Sequence, residues 1–97
     1  MALTDITASA VMQAIEEFDR RGRDAFLEAH GFGRAHRYLL EHNGKFYDSK
    51  AIVGVAHGYL PGQEVLESSQ FSGGEGHAVS ALRELGFSVV DADADGS

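Results

Sequence analysis

The chain contains no cysteine and no tryptophan, and it has one proline among its 97 residues. The absence of thiols excludes a disulfide framework, a cysteine nucleophile and thiolate ligation of a metal. No apolar run approaches the roughly 20 residues that a membrane-spanning helix requires. The N-terminal segment "MALTDITASA" lacks the basic and apolar regions of an export signal, which predicts a cytoplasmic protein.

The length and composition predict one small domain. With 43% hydrophobic residues, the chain can bury a modest single core. We expect this domain to occupy residues 1–90. The last seven residues, "DADADGS", read as an acidic, disordered tail.

The charge is unevenly distributed along the chain. The formal net charge is −7, which taken alone argues against a nucleic-acid partner. However, seven of the eight lysines and arginines lie between Arg20 and Lys50, together with only four of the fifteen acids. A polyanion responds to a local basic surface more than to the net charge, so this middle segment is a candidate for DNA contact. The alternative is ordinary solvated surface charge.

The first thirty residues show two helical patterns. In "TASAVMQAIEEFDRRG", Thr7 is a suitable N-cap, an apolar stripe runs through Val11, Ile15 and Phe18, and Gly22 ends the helix. "RDAFLEAHG" then predicts a short second helix that directs Phe26 and Leu27 inward.

A β-hairpin is the clearest local signal. In "RYLLEHNGKFYD", two extended runs flank Asn43-Gly44, the dipeptide that best fits a two-residue turn. This loop length pairs His42 with Lys45, Glu41 with Phe46, and Leu40 with Tyr47. One face would carry Tyr38, Leu40, His42, Lys45 and Tyr47, and the other Arg37, Leu39, Glu41, Phe46 and Asp48. We expect Leu39 and Phe46 to face the core, which leaves an exposed aromatic and basic face; the reverse orientation is the alternative.

The remaining chain predicts two helices and a strand. Asp48 or Ser49 caps a helix that runs to about Gly58. "FSGGEGHAVSALRELGF" is a glycine-rich loop that enters a last helix, and "FSVV" is a final strand that joins the hairpin. The predicted fold class is α+β: about four helices around a short antiparallel sheet, in the order α-α-β-β-α-α-β.

Lys50 occupies an unusual position in the first turn of the predicted third helix. Helix N-termini attract anions, so a lysine there opposes the helix dipole unless an anion such as phosphate is bound. Ser49 and Lys50 are therefore candidate phosphate contacts; the alternative for Lys50 is a solvent-exposed side chain. Gly54 and His57 continue the same helix face. We interpret them as packing residues, and the close approach of a ligand to Gly54 is the alternative.

The loop "FSGGEGH" is a second candidate phosphate site. It matches neither a P-loop nor a dinucleotide-binding fingerprint. Its backbone amides could still hold a phosphate, with Ser72, Gly73, Gly74 and His77 as candidate contacts. The alternative is a simple loop that caps the following helix.

Catalysis and metal binding receive little support from the sequence. The five histidines show no metal-binding spacing, and no serine lies in a nucleophile elbow. "DADADG" matches only the first half of a calcium-binding loop. We therefore predict no catalytic residue, no metal and no cofactor.

Three segments together resemble a known family. "FLEAHGFGRAHRYLLEHNGK", "YDSKAIVGVAHGY" and "FSGGEGHAVSALRELGF" are similar to the N-terminal head domain of bacterial McrA-like, modification-dependent HNH restriction endonucleases. The similarity covers about residues 7 to 90. The nuclease and the other reader domains of those enzymes have no counterpart in this sequence, which predicts a stand-alone reader that is not itself an enzyme.

The resemblance implies binding to double-stranded DNA that contains 5-methylcytosine. Lysine and arginine side chains would then contact phosphates, and Tyr38 or Tyr47 would contact the methyl group in the major groove. Base flipping is an alternative. The predicted DNA-binding residues are Arg34, Arg37, Tyr38, Lys45, Tyr47, Ser49, Lys50, Ser72, Gly73, Gly74 and His77. Two other hypotheses remain open: a module that docks a nuclease or regulator through its acidic surface, and a small hydrolase.

Overall fold

The computed structural model describes residues 6–33, 38–66 and 78–91, and for residue 91 the backbone alone. These residues form four helices and three strands. The helices are α1 (Ala8–Arg21), α2 (Arg23–His30), α3 (Ser49–Gly58) and α4 (Ala78–Glu84), and the strands are β1 (Tyr38–His42), β2 (Lys45–Asp48) and β3 (Ser88–Asp91). The predicted α+β class and element order are confirmed. In the part of the chain that the structure describes, no helix is long and apolar enough to cross a membrane.

Local sequence signals set the bounds of the first two helices. The Thr7 hydroxyl accepts a hydrogen bond from the Ala10 backbone N–H at 3.1 Å, so Thr7 is the N-cap of α1. Gly22 separates α1 from α2 with φ 88°, a conformation that most side chains disfavour. Phe26 and Leu27 of α2 are buried, as predicted.

The three strands form one antiparallel sheet in the order β2-β1-β3. Asn43 and Gly44 adopt φ 53° and φ 78°, the positive values that a two-residue hairpin turn requires. The predicted register is confirmed: His42 pairs with Lys45, Glu41 with Phe46, and Leu40 with Tyr47. β3 adds to the opposite edge of β1, which makes β1 the central strand.

The expected orientation of the hairpin is wrong. Leu40 and Tyr47 lie in the core, where Tyr47 is 2% exposed, whereas Phe46 is 56% exposed. The Tyr47 ring packs edge-on against Phe18 of α1 with 4.8 Å between centroids, and its hydroxyl donates to Asp19 at 3.0 Å. A tyrosine tolerates burial when its hydroxyl has such a partner. Leu40 and Tyr47 of this face therefore pack on the helices, whereas Lys45 at its outer end is exposed.

Helix α3 lies at the centre of the domain. Every residue from Ala51 to His57 is buried, and α3 contacts α1, α2, α4 and both hairpin strands. Such burial on all sides follows from a sequence that is apolar around the whole helix. A Cβ atom on Gly54 would lie 2.5 Å from Cζ of Phe32 and 3.1 Å from the Leu66 carbonyl oxygen. The packing interpretation of Gly54 is confirmed.

Candidate nucleic-acid interface

The tip of the β1–β2 hairpin extends beyond the third strand. Pairing between β1 and β3 ends at Glu41 and Ser88, whereas β1 and β2 continue through the pair of His42 and Lys45 to the turn. Lys45 has a side chain that is 67% exposed, and its Nζ lies 4.0 Å from a carboxylate oxygen of Asp19. The hairpin thus extends one residue pair and the turn beyond β3, and it carries the exposed Lys45 side chain close to Asp19.

Two arginines of the basic segment bind carboxylates of the protein itself. Arg23 donates two hydrogen bonds of 2.8 Å to the Asp48 carboxylate, and Arg21 donates one of 2.8 Å to Glu17. The bond to Asp48 raises the pKa of Arg23 above its usual range, against the smaller effect of burial. The basic segment thus presents less free charge than its composition indicates. Arg34 and Arg37 lie outside the described residues.

The start of α3 holds Ser49 and Lys50, the predicted phosphate contacts of this helix. Ser49 is buried, and its hydroxyl donates to the Tyr38 carbonyl oxygen at 2.8 Å. Asp48 occupies the N-cap position without a side-chain capping bond, and its buried carboxylate is paired with Arg23. This carboxylate already places a negative charge at the positive end of the helix dipole. The phosphate contact of Ser49 stays a prediction, and its hydroxyl is engaged within the fold. Lys50, one residue further on, is half-buried.

The two tyrosines predicted to contact a base take different positions. Tyr38 is half-buried and packs against the core cluster. Tyr47 is fully enclosed, and burial together with the hydrogen bond to Asp19 raises its pKa to about 12. A direct contact of Tyr47 with DNA would require its side chain to leave the core.

A buried carboxylate that sequence reasoning missed joins three parts of the fold. Glu17 of α1 accepts hydrogen bonds from Arg21, from Nε2–H of His30 at 2.7 Å and from the Tyr59 hydroxyl at 2.7 Å. Burial alone would raise the pKa of Glu17, but the hydrogen bonds and the charge of His30 lower it below its ordinary value. The spacing of Glu17 and Arg21 indicated one of these contacts. Nothing in the local sequence indicated His30 or Tyr59.

Glu17 gives stability a predictable acid dependence. The pKa of Glu17 is lower in the folded state than in the unfolded state, where it is near 4.5. The contribution of Glu17 to the free energy of unfolding is therefore complete above the unfolded pKa and is lost as the pH falls through the folded pKa. We expect Glu17→Gln to cost about 1–3 kcal/mol at neutral pH and much less in acid. Chemical unfolding at neutral and acidic pH measures this. Glu16→Gln, on the exposed side of the same helix, is the control and should leave the acid dependence unchanged. A Glu17 variant with the wild-type pH profile would contradict the assignment.

The other predicted sites are distributed as follows. Nδ1–H of buried His57 donates to the Glu64 carbonyl oxygen at 2.7 Å, so this histidine is a satisfied core residue. Ser72, Gly73, Gly74 and His77 lie outside the described residues, as does the predicted acidic tail after residue 91. Across residues 6–33, 38–66 and 78–91, no group of three or more His, Asp or Glu side chains is placed to hold a metal ion.

The outer face of the sheet carries a row of exposed side chains, none of which is among the predicted DNA-binding residues. Glu41 of β1 pairs with Phe46 on one side and with Ser88 on the other, and all three are exposed. Residues that pair directly across a sheet project from the same face. This row, which we call the Ser88–Glu41–Phe46 row, lies beside the hairpin tip. The alternating pattern predicts that Glu41 and Phe46 share a face, but this face is the outer one and not the face that covers the core.

The four helices and the three-stranded antiparallel sheet of the described residues define a small α+β domain with an exposed hairpin end. The chain belongs to the family described as "ScoMcrA-like, N-terminal head domain", which matches residues 4–91. The resemblance inferred from the sequence motifs is therefore confirmed. No curated protein matches the chain.

A solved structure supports the same assignment. The type IV phosphorothioation-dependent restriction endonuclease ScoMcrA is 42% identical to this chain, and the two superpose with a TM-score of 0.66. The match covers 90% of this chain and 13% of that protein. The chain thus corresponds to a small part of a much longer enzyme.

Proposed function

We propose that this domain is a non-catalytic module that binds double-stranded DNA and prefers DNA carrying 5-methylcytosine. The observation that carries the proposal is the exposed end of the β1–β2 hairpin, where Lys45 and Phe46 are neighbours in β2 and project from opposite faces. The major groove of B-DNA admits a two-stranded β-ribbon, so such a tip has the shape required to reach base edges. Membership in a restriction-endonuclease head family supports a DNA partner.

Electrostatics would position the domain on the duplex. Lys45 and the exposed Arg20 offer positive charge near the projecting hairpin and at the end of α1. Phosphate contacts fix the register and orientation of a protein on DNA but carry no sequence information directly. With a net charge of −7 opposing association and few cations at the interface, we expect modest affinity that falls gradually with added salt.

The modification that is read has two candidate chemistries. The ScoMcrA structure concerns a phosphorothioation-dependent enzyme, in which sulfur replaces a phosphate oxygen. A 5-methyl group on cytosine instead projects from a base edge into the major groove. The exposed Phe46 ring favours the base-edge modification, because an apolar side chain is suited to a methyl contact.

A binding titration tests the proposal directly. We would measure the affinity for duplexes of identical sequence that are unmodified, methylated at cytosine or phosphorothioated, each at two salt concentrations. The expected order places the methylated duplex first. A preference for the phosphorothioated duplex would replace 5-methylcytosine as the modification, and the absence of binding to any duplex would contradict DNA binding and favour a protein-docking module.

Lys45→Ala is expected to weaken binding to all three duplexes equally. The loss of one phosphate contact should also reduce the slope of log affinity against log salt by about 1. Lys45→Arg keeps the charge and should keep both the affinity and the slope. If Lys45→Ala changed neither quantity, the hairpin tip would not be the part of the domain that contacts the backbone.

A further inference from the structure

The Ser88–Glu41–Phe46 row contains an acid and an aromatic ring held side by side. In a two-residue hairpin, the residues that flank the turn exchange both backbone hydrogen bonds, so the next pair is a non-hydrogen-bonded one. Here that next pair is Glu41 and Phe46. Side chains of non-hydrogen-bonded pairs approach each other more closely than those of hydrogen-bonded pairs. The carboxylate and the ring therefore project together from one face, adjacent to the hairpin tip.

The four bases present different groups at the edge that this pair would meet. Cytosine offers the N4 amino donor, and in 5-methylcytosine the methyl group is on the neighbouring ring carbon. Thymine places its methyl group beside the O4 acceptor, adenine places an amino donor beside the N7 acceptor, and guanine presents two acceptors. Only 5-methylcytosine combines a donor with an adjacent methyl group, which is the complement of an acid beside an aromatic ring.

We propose that Glu41 and Phe46 together read 5-methylcytosine in the major groove. The Glu41 carboxylate accepts a hydrogen bond from the N4 amino group, and the Phe46 ring contacts the methyl group. This inference rests on the proposed function, since it names the residues that select the modified base. Lys45, on the opposite face of the hairpin, would approach the backbone while the pair faces the base.

The position of Glu41 explains how an acid can be useful in a DNA-binding surface. A carboxylate near phosphates lowers affinity in general, and opposite an acceptor such as O4 of thymine it is left unpaired and desolvated. Opposite an amino group it is satisfied by a charge-assisted hydrogen bond. The acid thus penalises wrong bases more than it rewards the right one, which gives specificity by exclusion.

Two variants separate the roles of the pair. The probes are duplexes that differ at one position: cytosine, 5-methylcytosine or thymine, each with its complement. Wild-type protein should prefer 5-methylcytosine over cytosine about fourfold, the value expected for one buried methyl group. Phe46→Ala should bind both cytosine duplexes equally and still disfavour thymine.

Glu41→Gln should change specificity in a different way. An amide can donate to O4 of thymine, so this variant should lose about tenfold in discrimination between 5-methylcytosine and thymine. Phe46 remains in this variant and can contact the methyl group of thymine as well as that of 5-methylcytosine. The variant should therefore bind the thymine duplex more tightly than the wild type does. Val65→Ala removes an exposed apolar side chain that contacts Gly58 at the far end of α3, and this control should behave as wild type.

The outcomes separate a failure of the role proposed for Glu41 and Phe46, the reader pair, from a failure of the proposed function. Wild-type preference that persists in Phe46→Ala would overturn the pair while leaving modified-DNA binding intact. Equal binding of the wild type to all three duplexes would overturn the pair and leave general DNA binding. No binding of the wild type to any duplex would overturn both. Unfolding curves of each variant confirm that the comparison is between folded proteins.

Discussion

Phe26→Ala is expected to destabilise the domain by about 3–5 kcal/mol, the range found when a buried phenylalanine is truncated. Phe26 is 0% exposed, and its ring centroid lies 5.0 Å from that of Phe18 and 5.1 Å from that of His30. The substitution removes both ring contacts and opens a cavity between α1 and α2. Chemical denaturation monitored by far-ultraviolet circular dichroism measures the loss. A domain of this size can be largely unfolded by such a change.

Phe46→Ala is the matched control for this prediction. The substitution is chemically identical, but Phe46 is exposed on the outer face of the sheet. We expect a change within about 0.5 kcal/mol. Similar losses in the free energy of unfolding at the two positions would contradict the assignment of the core face. A small loss at Phe46 would also show that this variant is folded and suitable for the DNA titration.

Arg23→Met is expected to cost about 3 kcal/mol, the lower end of the range for breaking a buried ion pair. The side chain of Asp48 is 2% exposed and would lose two charge-assisted hydrogen bonds at once. The lower end applies because the side chain of Arg23 is 40% exposed and water can enter the space it leaves. Thermal or chemical unfolding at neutral pH measures the change.

Arg21→Met is the control for the ion pair. Arg21 also binds a buried carboxylate, but Glu17 retains His30 and Tyr59 as donors when Arg21 is removed. We expect a loss of about 1 kcal/mol or less. The double variant Arg23→Met with Asp48→Asn should regain part of the stability, because the buried charge has been removed as well. Equal losses for the two arginine variants would contradict this account.

The elements that the sequence predicted well are those set by neighbouring residues. Thr7, Gly22 and Asn43-Gly44 act within a few residues of the structure that they define, so the bounds of α1 and the hairpin register followed from local chemistry. The face of the hairpin did not follow, because both faces carry aromatic and aliphatic residues. The contact that favours burial of Tyr47 is made with Asp19, 28 positions earlier in the chain.

The candidate site was predictable only in part for the same reason. A lysine at the start of α3 indicated an anion, but the pair of Arg23 and Asp48 joins residues 25 positions apart and had no local signature. Lys45 was identified from the charge pattern and lies on the exposed hairpin tip. The pairing of Glu41 with Phe46 was also predicted, yet its exposure depended on which face the helices cover.

The burial of α3 on all sides has a consequence for how the domain unfolds. A helix of ten residues is too short to be stable in water by itself, so its conformation depends on the elements that enclose it. Those elements, α1, α2, α4 and the hairpin, in turn pack on α3. If the elements on one side of α3 moved away, the apolar surface of α3 would be exposed to water. The helix would then no longer be stable. The helices and the sheet are therefore coupled into a single cooperative unit through one short segment.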